Sequence, residues 1–127
     1  MKKEDLMAKA KSASQNSYSP YSKFAVGACV LCESGNVYVG TNVENASYGL
    51  TICAERNAIA NAVVNGEKHI CAVAIYSPNA ENCFPCGACR QVIFEFASKD
   101  GVDIVLEQNG EIMVHKINDL LPEGFTL

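Results

Sequence analysis

The sequence predicts an α/β protein, a three-layer α/β/α sandwich with a mixed five-stranded sheet. Segments with helical and strand-like patterns alternate along the chain, and short turns join two pairs of the strand-like segments directly. No repeats or low-complexity tracts interrupt this series. The last pair flanks Asn109-Gly110, a strong hairpin signal, so we expect the final strand to run antiparallel to the one before it.

Four segments are predicted to be helical. The first carries apolar residues at helical spacing. Thr51 is a candidate N-cap for the second, because its hydroxyl could accept a hydrogen bond from an unpaired backbone N–H group. Pro85 suits the first turn of the third, where the missing N–H group costs nothing. The predicted helices are residues 4–16, 52–65, 85–98 and a short turn at 118–121.

Five segments rich in β-branched and other apolar residues are predicted to be strands. The turn at residues 33–36 joins the first two, residues 42–50 are expected to be irregular, and residues 77–84 form a loop. The predicted strands are residues 24–32, 37–41, 69–76, 102–107 and 111–116.

Length and composition indicate one globular domain, residues 1–127, with 49% hydrophobic residues. No apolar run approaches the ~20 residues that span a bilayer, and the polar start does not resemble a signal peptide, so we expect a cytoplasmic protein without a membrane partner. The net charge is −4 and only two arginines are present. Because nucleic-acid binders need a basic stripe, we expect no nucleic-acid partner.

Seven cysteines are present. In a chain without an export signal, metal binding or catalysis explains them better than disulfides do. Cys53 lies in Cys53-Ala54-Glu55-Arg56, while Cys86 and Cys89 are three apart in Pro85-Cys86-Gly87-Ala88-Cys89-Arg90-Gln91 and share one helical face. If the two helix starts meet, three thiolates converge on one ion beside two positive helix-dipole ends.

Three protein ligands leave one tetrahedral position open, as catalytic zinc requires. A water there would be acidified and become a nucleophile, and Glu55 could reach it without binding the metal. The pattern of ligand-x-Glu followed by Pro-Cys-x-x-Cys is that of zinc deaminases. We therefore predict one Zn²⁺ per chain. Because three thiolates give the cluster a net negative charge, Arg56 is a candidate to donate hydrogen bonds to the sulfur atoms and draw that charge back.

The remaining cysteines and the two histidines were also considered as metal ligands. Cys29, Cys32 and Cys71 are expected in strands as small buried residues. Cys83 offers a rival site, because a C-x₂-C-x₂-C run with a fourth cysteine can hold an iron–sulfur cluster or a closed structural zinc. A closed site would leave Glu55 without a purpose. His69 and His115 lie far from the cysteine motifs in sequence and are not expected to bind metal.

These motifs resemble the small homotetrameric zinc-dependent cytidine deaminases over nearly the whole chain. The matching segments are residues 20–28, 42–48, 53–56 and 85–91. The resemblance implies zinc on Cys53, Cys86 and Cys89, with Glu55 as the catalytic proton shuttle. It also implies a nucleoside site shared between subunits of a homotetramer. In that site Phe24 packs on the pyrimidine, Asn42 and Glu44 hold the ribose, the backbone near Ala54 reads the base, and Phe125 reaches into an adjacent pocket.

The implied reaction is the hydrolytic deamination of cytidine and 2′-deoxycytidine to the uracil nucleosides, with release of ammonia, as in pyrimidine salvage. A nucleoside is favoured over a nucleotide because the Glu44 carboxylate would repel a 5′-phosphate. Blasticidin-type deaminases share the zinc motifs, but residues 42–45 and 21–27 favour cytidine. A binding protein that has lost catalysis is the remaining alternative, and the complete set of ligands with Glu55 argues against it.

Overall fold

The computed structural model describes all residues from Met1 to Leu127 and confirms the predicted fold class. Five strands form one sheet with helices on both faces, and no helix is both long and apolar enough to cross a membrane. The elements are α1 (Lys3–Ser14), β1 (Gly27–Cys32), β2 (Val37–Thr41), α2 (Ala54–Val64), β3 (Ile70–Tyr76), α3 (Gly87–Glu95), β4 (Asp103–Gln108), β5 (Glu111–Lys116) and α4 (Ile117–Leu120), with a 3₁₀ turn at Tyr48–Leu50.

The strand order is β2-β1-β3-β4-β5. Only β3 and β4 are parallel, and α3 lies between them in the chain, as a crossover between parallel strands requires. The other three pairs are antiparallel, which confirms the predicted hairpin between β4 and β5. Asn109 and Gly110 both have positive φ at this hairpin, the conformation that their sequence signal predicts.

The sheet separates two apolar clusters. On one face, Leu6, Met7 and Ala10 of α1 pack on Cys29 and Val105. On the other face, α2 and α3 cover the larger cluster, whose members from these helices include Ala58, Ile59 and Ile93. Burying each large aliphatic side chain contributes roughly 1.5–3 kcal/mol to folding. Cys29 and Cys32 are buried, as expected for small core residues, whereas Cys71 is only half-buried.

Two glycines allow helices to approach opposite faces of the β1–β2 hairpin. A Cβ atom at Gly27 would lie 2.0 Å from the carbonyl oxygen of Ala10 in α1. A Cβ atom at Gly40 would lie 2.3 Å from the backbone nitrogen of Ala58 and 2.6 Å from the carbonyl oxygen of Ala54. The backbone of the first turn of α2 therefore rests directly on β2.

Several predicted boundaries are wrong. Thr51 is not the N-cap of α2, because Cys53 occupies that position and the Thr51 hydroxyl instead accepts a hydrogen bond from the backbone of Asn45 at 3.2 Å. Pro85 precedes the N-cap residue of α3, which is Cys86. The remaining differences are at ends: α3 stops at Glu95 rather than 98, β1 begins at Gly27 rather than 24, α1 ends at Ser14 rather than 16, and α4 is shifted by one residue.

Candidate metal centre and active site

Three thiols converge where α2 and α3 begin. Cys53 is the N-cap residue of α2, Cys86 is the N-cap residue of α3, and Cys89 lies in the first turn of α3. Their Sγ atoms all lie within 4.8 Å of one another, and those of Cys53 and Cys86 are 3.9 Å apart. The two predicted helix starts do meet, and the sequence-predicted ligand set forms one group.

This group fits zinc. Zn–S bonds of about 2.3 Å at tetrahedral angles separate sulfur atoms by about 3.8 Å, close to the observed spacing of Cys53 and Cys86. Thiolates are soft ligands that suit zinc, and three of them leave one tetrahedral position for another ligand. Cys89 is buried while Cys86 is exposed, so the group is open to solvent on one side.

The environment favours a charged sulfur at Cys53. A hydrogen bond from the Cys89 thiol and the nearby Arg56 guanidinium lower the pKa of Cys53 to about 5. The pKa of Cys89 is raised, because this thiol donates that hydrogen bond and is buried. Arg56 Nη2 lies 3.4 Å from Cys53 Sγ and 3.5 Å from the carbonyl oxygen of Thr51. Arg56 thus contacts the sulfur as its predicted role requires.

Glu55 is the one carboxyl group buried in this region. Only 4% of the residue is exposed, and burial raises the pKa of its carboxyl to about 7. The charge of a metal ion at the thiolates would act in the opposite direction. A carboxyl group that titrates near neutral pH can both accept and release a proton under working conditions.

Asn42 organises the segment that carries Phe24. Its buried side chain accepts hydrogen bonds from the backbone N–H of Val26, at 3.0 Å, and from the Ser17 hydroxyl. Its amide nitrogen donates to the carbonyl oxygen of Phe24 at 2.8 Å. A phenylalanine is usually expected in the core. Phe24 is 37% exposed and therefore lies outside it.

Glu44 holds the turn that precedes Phe24. Its carboxylate accepts hydrogen bonds from the backbone N–H groups of Tyr21, at 3.0 Å, and Ser22, at 3.1 Å, and from the Ser22 hydroxyl. These hydrogen bonds, the Ser22 hydroxyl first, lower the pKa of Glu44. A cavity of about 360 Å³ lies beside it, lined by Tyr21, Ser22, Glu44, Asn45, Tyr48 and Thr51.

Most of this lining was not predicted from the sequence. Only Glu44 was a candidate for binding, whereas Tyr21 and Tyr48 were assigned no role and Thr51 was expected only to cap a helix. The rings of Tyr21 and Tyr48 lie edge to face with centroids 6.3 Å apart. Both tyrosines lie within the motif segments, so their position there was the available signal.

Ala54 and Phe125 occupy different surroundings. Ala54 is fully buried at the first position of α2, where backbone N–H groups have no partner within the helix. Phe125 is 66% exposed and does not line the cavity beside Glu44. Within one chain, therefore, the structure groups the thiols with Glu55 and Arg56 but does not bring Phe125 to the cavity.

The rival cluster around Cys83 does not form. Cys83 is absent from the group of converging thiols and packs instead against the larger core cluster. Burial raises the pKa of its thiol to about 11, which keeps it protonated at neutral pH. Neither histidine joins the group, and His115 lies against the ring of Phe84 with centroids 5.0 Å apart.

An α/β/α fold with an open three-cysteine site and a buried carboxyl group beside it defines a class of metal-dependent enzymes. Residues 1–106 match the family described as the cytidine and deoxycytidylate deaminase zinc-binding region, and the chain belongs to this family. Zinc is therefore the metal that the three-cysteine group is positioned to bind.

Relatives named cytidine deaminase match nearly the whole chain. That of Halalkalibacterium halodurans is 40% identical over 126 residues, which cover 99% of this chain and 96% of the relative. The cytidine deaminase of Sporosarcina psychrophila is 42% identical, and the aligned residues cover 97% of this chain and 90% of the relative. The crystal structure of the Burkholderia pseudomallei cytidine deaminase superimposes with a TM-score of 0.91 at 41% identity, covering 98% of this chain and all of that one.

Replacing single cysteines should separate the two possible metal sites. We expect Cys86→Ser to lose zinc, because a serine hydroxyl is a poor replacement for a thiolate ligand. Cys83→Ser should retain one zinc per chain, because Cys83 lies outside the converging group. Metal content of the purified variants, measured by mass spectrometry together with iron and sulfide, tests this. Loss of metal from Cys83→Ser, or iron and sulfide in the parent, would contradict the assignment.

Proposed function

We propose that this chain deaminates cytidine and 2′-deoxycytidine to uridine and 2′-deoxyuridine, with release of ammonia, and so serves pyrimidine salvage. The observation that carries this proposal is the convergence of Cys53, Cys86 and Cys89 beside the buried carboxyl group of Glu55. The relatives at about 40% identity that are named cytidine deaminases support the choice of substrate.

In the proposed mechanism, Cys53, Cys86 and Cys89 hold zinc, which when bound supplies a Lewis acid that acidifies water toward neutral pH. Glu55 takes a proton from the attacking water and delivers it to N3 of the pyrimidine. The water oxygen bonds to C4; Glu55 then takes the second proton of that oxygen and delivers it to the amino group, so that the C4–N bond breaks, ammonia leaves and the C4 carbonyl forms. Burial raises the pKa of the Glu55 carboxyl and zinc at the thiolates would lower it again, and a carboxyl between these two influences can both accept and donate a proton.

The nucleoside is held by groups that retain unused hydrogen-bonding capacity. Glu44 accepts three hydrogen bonds from its own chain, and a carboxylate has about four acceptor sites, so one remains for a ribose hydroxyl. The amide nitrogen of Asn42 donates one hydrogen bond and has a second hydrogen to offer. Phe24 packs on the pyrimidine ring, and the unpaired backbone N–H at Ala54 reads the base.

A nucleoside fits better than a nucleotide, although the family description includes deoxycytidylate. A 5′-phosphate is best held by guanidinium groups, and the chain has only two. Arg56 is directed at Cys53, and Arg90 donates to the carbonyl oxygens of Pro85, at 2.8 Å, and Leu120, at 2.9 Å. Neither is free to offset the charge of Glu44.

The chain acts as a single domain in the cytoplasm. One domain is supported by the two core clusters, which pack on the two faces of the same sheet. All seven cysteines are free thiols, as in proteins of a reducing compartment.

The active form is a homotetramer with shared sites. A contiguous exposed apolar patch supports this, because single β-bridges join Tyr18 to Val43 and Val43 to Ile52. The patch comprises Tyr18, Tyr21, Val43, Tyr48, Leu50 and Ile52, each at least 41% exposed. Contiguous apolar patches of this kind mark protein–protein contacts.

Removing the proton carrier should abolish turnover without removing the metal. Zinc-loaded parent protein should release ammonia from cytidine, whereas Glu55→Gln should be slower by roughly 10²–10⁴-fold or more, because the amide cannot shuttle a proton. Glu95→Gln, an exposed glutamate on α3, is the matched control and should behave as the parent.

The same assay separates the substrate alternatives. Full activity in Glu55→Gln would exclude its catalytic role. A parent that carries one zinc but ignores cytidine would reject this substrate and favour other aminopyrimidines, blasticidin-like compounds first. Preference for deoxycytidylate over both nucleosides would contradict the argument from Arg56 and Arg90.

Arg56→Ala should lower activity more than it lowers zinc content. The guanidinium withdraws charge from Cys53 Sγ without binding the metal, so we expect a roughly 10–100-fold loss of kcat with about one zinc retained. Arg56→Lys keeps the positive charge but not the planar fork, and should recover part of the loss. Turnover equal to that of the parent in Arg56→Ala would exclude this role.

Native mass spectrometry of the zinc-loaded protein should give four times the 13.6 kDa mass of one chain. We expect Leu50→Asp to dissociate the assembly, because it places a charge in the apolar patch. Val64→Asp places the same charge on a side chain outside the patch that is even more exposed than Leu50, and should leave the mass unchanged. A monomeric parent that deaminates cytidine would contradict the shared site.

A further inference from the structure

The C-terminal segment is fastened to the helix that carries two of the thiols. Arg90 of α3 donates a hydrogen bond to the carbonyl oxygen of Leu120 at 2.9 Å. Gly124 lies flat against the ring of Phe94, where a Cβ atom would come within 2.6 Å of the ring. The C-terminal segment, residues 120–127, therefore contacts α3 at Leu120 and at Gly124.

Gln91 connects α3 to this segment through two hydrogen bonds. Its amide nitrogen donates to the carbonyl oxygen of Phe125 at 2.9 Å, and its amide oxygen accepts from the backbone N–H of Phe125 at 3.1 Å. One side chain thus satisfies both backbone groups of one residue, as a neighbouring strand would. Gln91 is two positions after Cys89 on α3, so the backbone of Phe125 is fixed relative to the thiols.

The side chain of Phe125 gains nothing from this arrangement within its own chain. It is 66% exposed, and Leu127 beyond it is fully exposed. Holding a backbone segment in one conformation costs conformational entropy, which the two hydrogen bonds of Gln91 offset. A backbone held at two points under an exposed aromatic ring is the arrangement of a pre-organised anchor, which loses little entropy when the ring enters a pocket.

We propose that Gln91 is a positioning residue for deamination. It holds the backbone of Phe125 so that the ring is presented to the nucleoside pocket of a neighbouring copy of this chain. This proposal rests on the proposed function, a homotetramer with shared sites, and on the family resemblance, which implies that Phe125 reaches into an adjacent pocket. In this arrangement α3 positions both the thiols of its own site and the aromatic ring that enters the site of the neighbouring copy.

The test compares zinc-loaded Gln91→Ala, Gln91→Glu, Phe125→Ala and the Gln91→Ala/Phe125→Ala double variant. Gln108→Ala, an exposed glutamine whose side chain makes no hydrogen bond, is the matched control. Amide hydrogen exchange of residues 120–127 reports directly on the fastening. Zinc content and the separate values of kcat and KM for cytidine report on its consequence.

In Gln91→Ala we expect faster exchange at the Phe125 amide and a KM raised about 10-fold, the size that two ordinary hydrogen bonds support, with zinc and kcat little changed. Gln91→Glu keeps the acceptor for the Phe125 N–H but loses the donor, so it should be intermediate in both measurements. The double variant should be no worse than Phe125→Ala alone, because both changes remove one interaction.

Unchanged exchange in Gln91→Ala would overturn the fastening itself. Faster exchange with unchanged KM, or losses in the double variant that simply multiply, would overturn the positioning role. Loss of zinc or of kcat alone would show that Gln91 acts through its own metal site instead. If the parent does not deaminate cytidine, the proposed function fails, and the exchange measurement still decides whether Gln91 holds the segment.

Discussion

The close approach of α2 to β2 at Gly40 is the constraint on which the site depends. Because Gly40 has no side chain, the backbone from Ala54 to Ala58 rests directly on the sheet. This contact fixes where α2 begins, and Cys53 is the residue immediately before that point. α3 lies in the crossover between the parallel strands β3 and β4, which brings it to the same face of the sheet as α2. The thiols meet because two backbones, rather than flexible side chains, are held in place.

Charge at the helix starts is a second consequence of this geometry. Thiolates and the Glu55 carboxyl group lie close together and partly out of water, where uncompensated negative charge is costly. The N-terminal dipoles of α2 and α3, the guanidinium of Arg56 and the metal all oppose that cost. Metal binding should therefore stabilise the packing of the two helix starts, because the ligands must be charged to bind the metal.

The sequence was sufficient to predict the fold class, all five strands and the four helices, because periodicity is a local signal, and the zinc-deaminase motif identified the thiols that converge. It was not sufficient for features that depend on segments meeting in space. Thr51 has the chemistry of an N-cap, yet the chain turns so that Cys53 takes that place. Glu67 accepts hydrogen bonds from Ser34, Asn36 and Tyr38 of the first hairpin, about 30 residues away in the chain, and no local pattern predicts them.

The same limit applies within the site. Asn42 and Glu44 were expected to bind a ligand. No local sequence pattern predicts that the side chain of each also forms hydrogen bonds within its own chain. Their hydrogen bonds to Ser17 and Ser22 join residues more than 20 positions apart. Likewise, Gln91 lies within a metal motif, but its connection to Phe125 spans 34 residues and leaves no local trace.

The single β-bridges that join Tyr18, Val43 and Ile52 have a consequence for local stability. These segments carry the turn at Glu44 and the approach to Phe24, yet they lie outside the five-stranded sheet. An isolated bridge opens at far lower free energy than a strand within a sheet. In a single chain these bridges should therefore open more readily than the sheet, and the proposed contacts between subunits, which include the same three residues, would hold them closed.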